Sequence, residues 1–110
     1  MPELPEIETV KLGIEKTVLG SVIISTKLFR RDLRFPVKEN LEKLILNKRL
    51  LGVGRRSKYL LFFLNKKTTL VMHLGMSGKI NMHIKRETAY KVKKHDHLIM
   101  LFDNGSFLTY

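Results

Sequence analysis

The chain has no cysteine and no tryptophan, and only three prolines among 110 residues. Without cysteine there can be neither a disulfide nor a thiolate metal site, which fits a reducing compartment. Long apolar stretches are missing as well. The longest strongly apolar run, Tyr59 to Leu64, falls far short of the ~20 residues that span a bilayer. No basic start followed by an apolar segment is present, so the sequence predicts a soluble, cytoplasmic protein with no signal peptide and no membrane partner. Acidic side chains are scarce over half the length. Residues 43–94 hold fourteen Lys or Arg and one acid, Glu87, whereas residues 1–42 hold seven of each sign. The last sixteen residues hold two acids and no Lys or Arg. The net charge of +11 is therefore concentrated in the middle of the chain, where it would attract a polyanion. An anionic membrane would be attracted too, but there is no amphipathic basic helix to lie on one. Nucleic acid is the better reading, with a merely solubilising basic surface as its alternative.

At this length one domain is expected, large enough to bury about two-thirds of its unfolded surface. Leu4, Ile7, Val10, Ile14 and Val18 follow helical spacing and Gly20 sits at a stop, which predicts a helix from about Glu3 to Leu19. Residues 21–29 are β-branched and strand-like. A basic loop at 30–36 leads to a short helix over 39–47 that would bury Leu41, Leu44 and Ile45. From there the pattern predicts strands at 49–55, 58–64, 68–74, 79–84, 95–102 and 106–110. Asn65-Lys66-Lys67 and Asp103-Asn104-Gly105 read as hairpin turns, and residues 85–94 as a charged connection. The predicted fold class is α+β, mainly β: a two-layer antiparallel β-sandwich with an N-terminal helix and a second short helix. Tyr59, Phe62 and Phe63 are expected in its core.

The opening Met1-Pro2-Glu3-Leu4-Pro5-Glu6 carries the chemistry. Proline is small enough for the initiator methionine to be removed, which would leave Pro2 with an uncapped secondary amine. An α-amino group titrates at roughly 7.7–8.0 in model peptides, far below a lysine at roughly 10.4, so it is the better nucleophile at neutral pH. Beside the carboxylates Glu3 and Glu6 it reads as an imine-forming centre. The alternative is that Pro2 and Pro5 merely introduce a helix with an acidic first turn. Other residues also have two readings. Lys58 follows Arg55 and Arg56 at a strand entrance, or is a solvated lysine. Met76 stands on a Gly-flanked loop as an apolar wedge, or is a turn methionine. His95 and His97 alternate onto one sheet face, a spacing that also suits a metal pair, but there is no third ligand beside them. His73 reads as packing and hydrogen-bonding in the sheet, and Lys66 and Lys67 as a wet hairpin tip.

Four segments in order, Met-Pro-Glu-Leu-Pro-Glu at 1–6, Gly-Arg-Arg-Ser-Lys-Tyr-Leu-Leu at 54–61, His-Leu-Gly-Met-Ser-Gly at 73–78 and Lys-His-Asp-His at 94–97, carry a resemblance. Together they resemble the N-terminal domain of formamidopyrimidine-DNA glycosylase, a base-excision enzyme for oxidised purines. Leucine at position four is similar to that branch rather than to the endonuclease VIII branch. The resemblance implies Pro2 as the nucleophile forming a Schiff base at the sugar anomeric carbon. It implies Glu3 as the acid assisting ring opening, Glu6 as a support for the active-site geometry, and Lys58 as a phosphate contact and proton donor. It further implies that Met76 fills the space of a flipped-out nucleotide. His95, Arg55 and Arg56 would contact DNA. The implied partner is damaged double-stranded DNA, and members of the family act as monomers.

The family's next segment, Asp-Pro-Arg-Arg-Phe-Gly, and its helix–two-turn–helix and zinc-finger regions are not in this sequence. The expectation is thus a truncated catalytic domain over residues 1–110, with no cofactor of its own because the family's zinc belongs to the missing finger. Fewer phosphate contacts would weaken binding to duplex DNA, leaving Schiff-base formation with an abasic aldehyde as the residual chemistry. An exposed final strand and an uncovered apolar face would favour aggregation. The contrasting reading is a non-catalytic basic nucleic-acid-binding module or an inert gene remnant.

Overall fold

The structure is a computed structural model that describes residues 4–29, 40–74, 80–84 and 97–110. The basic loop at 30–36 and the connection at 85–94 lie outside the described residues. Among these residues the elements run α1 (Leu4–Val18), β1 (Ile23–Leu28), α2 (Leu41–Ile45), β2 (Leu50–Arg56), β3 (Tyr59–Leu64), β4 (Thr68–His73), β5 (Asn81–His83), β6 (Leu98–Phe102) and β7 (Phe107–Thr109). The strands form two antiparallel sheets, one ordered β1-β6-β7-β5 and the other β2-β3-β4. The mainly β, two-layer architecture agrees with the sequence reading.

The helical spacing in α1 does what it predicts. Ile7, Ile14 and Val18 are fully buried and Val10 packs at the margin of the core. Each fully buried aliphatic chain stabilises by about 1.5–3 kcal/mol, so this stripe, more than helix propensity, holds α1 in place. The helix stops at Gly20, whose φ of +85° lies in the left-handed region, and the Gly20 N–H donates to the Leu50 carbonyl at 2.8 Å. Helix-end carbonyls need outside donors. Asn104 Nδ2 donates to the Thr17 carbonyl at 2.9 Å, and the Arg49 guanidinium donates to the Gly20 carbonyl just beyond the helix. The helix thus runs along β2 and also touches β5, which belongs to the other sheet.

Side chains from both sheets meet in one core, with Leu60 and Phe62 from β3 and Leu98, Met100, Phe102 and Leu108 from β6 and β7. Two β-bulges make the strand patterns fit that core. The β2–β3 register shifts between Leu50 and Gly52, so Leu50 and Val53 both face inward although they are three apart, and Leu51 is left 58% exposed. The β1–β6 register shifts between Ile23 and Ser25 in the same way, burying Ile23 and turning Ile24 outward. An unbulged strand would put one member of each pair on the wrong face.

Both predicted hairpin turns are present. Asp103-Asn104-Gly105 joins β6 to β7 with Gly105 at φ +86°, and Asn104 Oδ1 accepts the Ser106 N–H at 2.9 Å. Asn65-Lys66-Lys67 joins β3 to β4, and Asn65 exchanges two hydrogen bonds with Arg49 (its N–H to the Arg49 carbonyl at 3.1 Å, its Oδ1 from the Arg49 N–H at 3.0 Å).

Four expectations need correction. Of the short helix, Ile45 is buried, but Leu44 is exposed and Leu41 only borders the core. Phe62 is core, whereas Tyr59 and Phe63 alternate onto the outer face. The Phe63 ring lies across Gly54, so closely that an added Cβ there would sit 2.8 Å from a ring carbon. Lys58 stands in the β2–β3 turn, not in the strand. Finally, β7 is not an exposed edge, because it lies between β6 and β5 with Phe107, Leu108 and Thr109 all buried.

Candidate nucleic-acid interface

Arg55 and Arg56 end β2, and Ser57 and Lys58 form the two-residue turn into β3. Ser57 adopts φ +55°, a left-handed value that lets the chain reverse within two residues. The turn is fastened from the other side. The Leu74 N–H, one residue beyond β4, donates to the Lys58 carbonyl at 2.8 Å. Next to it, the Tyr59 and His73 rings meet at 4.8 Å between centroids, tilted by 54°.

Helix α1 joins this end of the sheet through charge. Arg55 Nε donates to Glu8 Oε2 at 3.1 Å, and Lys11 Nζ lies 3.7 Å from the same carboxylate and 3.2 Å from Glu15. These groups are partly exposed, so the pair contributes at most about 1 kcal/mol. The pair shows that the first half of α1 lies beside the end of β2, where the buried stripe of the helix holds it. Glu6, in the first turn, is exposed.

The two sheets are tied here by Tyr110, whose hydroxyl donates to the His73 carbonyl at 2.6 Å. Tyr110 also exchanges backbone hydrogen bonds with Leu98, and its carbonyl accepts the His97 N–H at 2.6 Å. The His97 Nδ1 is buried with no hydrogen-bond partner among the described residues. Burial pushes the Tyr110 phenol above its ordinary value, so the hydroxyl remains a donor through neutral pH. The unfolded chain ionises this phenol first, so its contribution is intact below pH ~10 and declines as pH rises further. Tyr110→Phe is expected to lower stability by about 0.5–1.5 kcal/mol at neutral pH and to flatten that alkaline decline. Urea titrations at neutral and alkaline pH check both.

Of the candidate catalytic and DNA-contacting residues, Arg55, Arg56, Lys58 and Glu6 are described. The first three follow one another at one pole, where Arg55 also pairs with Glu8 of α1. Pro2, Glu3, Met76 and His95 lie outside the described residues; their nearest described neighbours are Leu4, Leu74 and His97. Sequence reasoning missed Glu8 as the partner of Arg55, because 47 residues separate them and only topology brings them together. It also missed Tyr110 as the tie between sheets. A tyrosine closing an apolar strand was the available signal, since its hydroxyl needs a partner when buried.

What this pole can do follows from its make-up. A cationic turn of this kind can bind phosphate. Among the described residues there is no group of three or more His, Asp or Glu that could hold a metal ion. No helix among them is long and apolar enough to cross a membrane.

Comparison with known proteins agrees with the geometry. The family described as "Formamidopyrimidine-DNA glycosylase N-terminal domain" matches residues 1–110. A formamidopyrimidine-DNA glycosylase of Bartonella henselae is 48% identical over 105 residues, covering 91% of this chain and 36% of that protein. Lactococcus lactis Fpg in complex with abasic-site-containing DNA superimposes with a TM-score of 0.84 at 35% identity, covering 98% of this chain and 39% of that one. The Lactococcus lactis complex with FAPY-dG-containing DNA gives 0.83 at 36% identity, over 97% of this chain and 39% of that one. The chain therefore spans about two fifths of the length of the proteins it matches. With the fold and the family match over residues 1–110 in agreement, the chain belongs to the formamidopyrimidine-DNA glycosylase family, aligning with its N-terminal domain.

Proposed function

We propose that this chain carries the nucleophile-bearing domain of a DNA glycosylase and abasic-site lyase that acts on oxidised purines in double-stranded DNA. The observation that carries the reading is the family match over residues 1–110, joined to a pole where Arg55, Arg56 and Lys58 follow one another and Arg55 pairs with Glu8 of α1.

In this reading the Pro2 nitrogen attacks C1′ of the damaged nucleotide, the bond from C1′ to the base breaks with its electrons leaving on the base, and the proton lost from the Pro2 nitrogen neutralises that base. Glu3 donates a proton to the ring oxygen as the sugar opens, giving an iminium between Pro2 and C1′. The iminium acidifies the C2′ hydrogen. Loss of that proton drives β-elimination, in which the C3′–O bond breaks and the 3′ phosphate departs. Lys58 and the arginine pair hold the flanking phosphates, each contact adding affinity through counterion release. Met76 fills the space the extruded nucleotide vacates, offsetting an unstacking cost of a few kcal/mol. Glu6 supports the start of α1.

Borohydride trapping with abasic-site DNA tests the proposal. A covalent chain–DNA adduct is expected, since imine formation needs chiefly the amine and a bound aldehyde. No adduct at any pH would overturn it.

A further inference from the structure

The pole opposite the Arg55–Lys58 turn is also basic, and the proposed DNA chemistry does not use it. β2 is seven residues long, which sets the two ends of the sheet ~20 Å apart. At the far end Arg49 and the β3–β4 turn are locked together by the two Asn65 hydrogen bonds. That turn presents Lys66 and Lys67, both exposed. Their φ angles are +58° and +57°. L side chains adopt this region at a cost, and glycine or asparagine would occupy it readily. A turn that needs two left-handed residues yet uses two lysines keeps its charge against local preference, and backbone strain of that kind gathers at functional sites.

The charge extends along the chain. Lys48 Nζ folds back onto the Leu44 carbonyl at 2.8 Å, and Lys43 is exposed on α2. Among the described residues Glu42 and Asp103 are the acids on the flanking segments, and Asp103 accepts the Val22 N–H at 3.1 Å. Next to Lys43 and Lys48 along the chain are two exposed leucines, Leu44 at 37% and Leu46 at 44%. Leu46 is held outward by the extended cap of α2 and by Asn47 at φ +63°.

We propose that this pole docks an acidic polypeptide segment carrying apolar side chains, with the lysines and Arg49 meeting its carboxylates and Leu44 and Leu46 receiving its apolar groups. Duplex DNA is the weaker fit, because a phosphate backbone offers the leucines nothing to pack on. The inference stands independently of the chemistry at the other pole.

The test uses the full chain and a fluorescein-labelled peptide mixing Asp and Glu with Leu and Phe. A peptide of equal charge with serine at the apolar positions and an undamaged duplex serve as comparisons. The mixed peptide is expected to bind, and its amide-shift footprint to cover residues 43–49 and 65–67. Lys66→Gly with Lys67→Gly is expected to weaken it at least about tenfold. The same variant should melt at an equal or higher temperature, since glycine suits both φ angles. No peptide binding, unchanged affinity in the double variant, equal binding of the serine peptide, or a duplex that occupies this pole more tightly would each overturn the proposal.

Discussion

A version of the chain with one extra residue ahead of Pro2 is expected to form no trapped adduct with abasic-site DNA. The extension converts the secondary amine of Pro2 into an amide and moves the terminal amine one residue away, ~3.8 Å along the chain. A misplacement of ~1 Å in a reacting group already costs on the order of 100-fold, so the relocated amine does not compensate. The pH profile separates this from a side-chain nucleophile. Trapping by an α-amine should rise and level off near pH ~8, whereas an ordinary lysine would keep gaining up to pH ~10. Gel-resolved adduct yield across that range, with intact mass to establish the state of Met1, gives the answer. An undiminished adduct from the extended chain would remove Pro2 from the chemistry.

Phe62→Ala is expected to remove a large share of the domain's stability. Phe62 occupies the central strand of the β2-β3-β4 sheet, is 1% exposed and points into the shared core. Truncating such a ring costs about 3–5 kcal/mol in lost burial and residual cavity. The whole stability of a domain this size is about 5–15 kcal/mol. The neighbouring Phe63 supplies the comparison. It faces outward at 41% exposure over Gly54, so Phe63→Ala should cost roughly 1 kcal/mol or less. Urea denaturation followed by circular dichroism should show a large midpoint shift for the first and a small one for the second. Similar losses from both would mean that the ring over Gly54 carries more of the packing than its exposure indicates.

That pair also marks where the sequence could be read and where it could not. The i, i+3, i+4 spacing from Leu4 to Val18 and the glycine after it gave α1 to within a residue or so at each end. The Asn-Gly turn was legible because its residue types match what a tight reversal requires. In Tyr59-Leu60-Leu61-Phe62-Phe63-Leu64 every residue is apolar, so no alternation says which set faces inward; the partner strands decide it. Bulges at Ile24 and Leu51 were likewise invisible, since a single extra residue leaves no compositional trace. At the candidate site, Arg55, Arg56 and Lys58 were readable as clustered charge. The carboxylate that holds Arg55 was not, because a contact between a helix and a distant strand end exists only once the chain is folded.

The placement of β7 has a consequence for the order of events during biosynthesis. It is the last described strand, yet it sits inside its sheet between β6 and β5, and β1 must wait for β6 to find its only sheet partner. Growth of the nascent chain therefore cannot finish the four-stranded layer stepwise. The β2–β3–β4 meander, built from adjacent hairpins, can assemble as soon as it emerges, while β1, held at Ile23 by Asn47 and Lys48, gains its strand partner some seventy residues later. Until then the inner face of the meander lacks the cover of β6 and β7, and apolar surface exposed in that way is prone to aggregate.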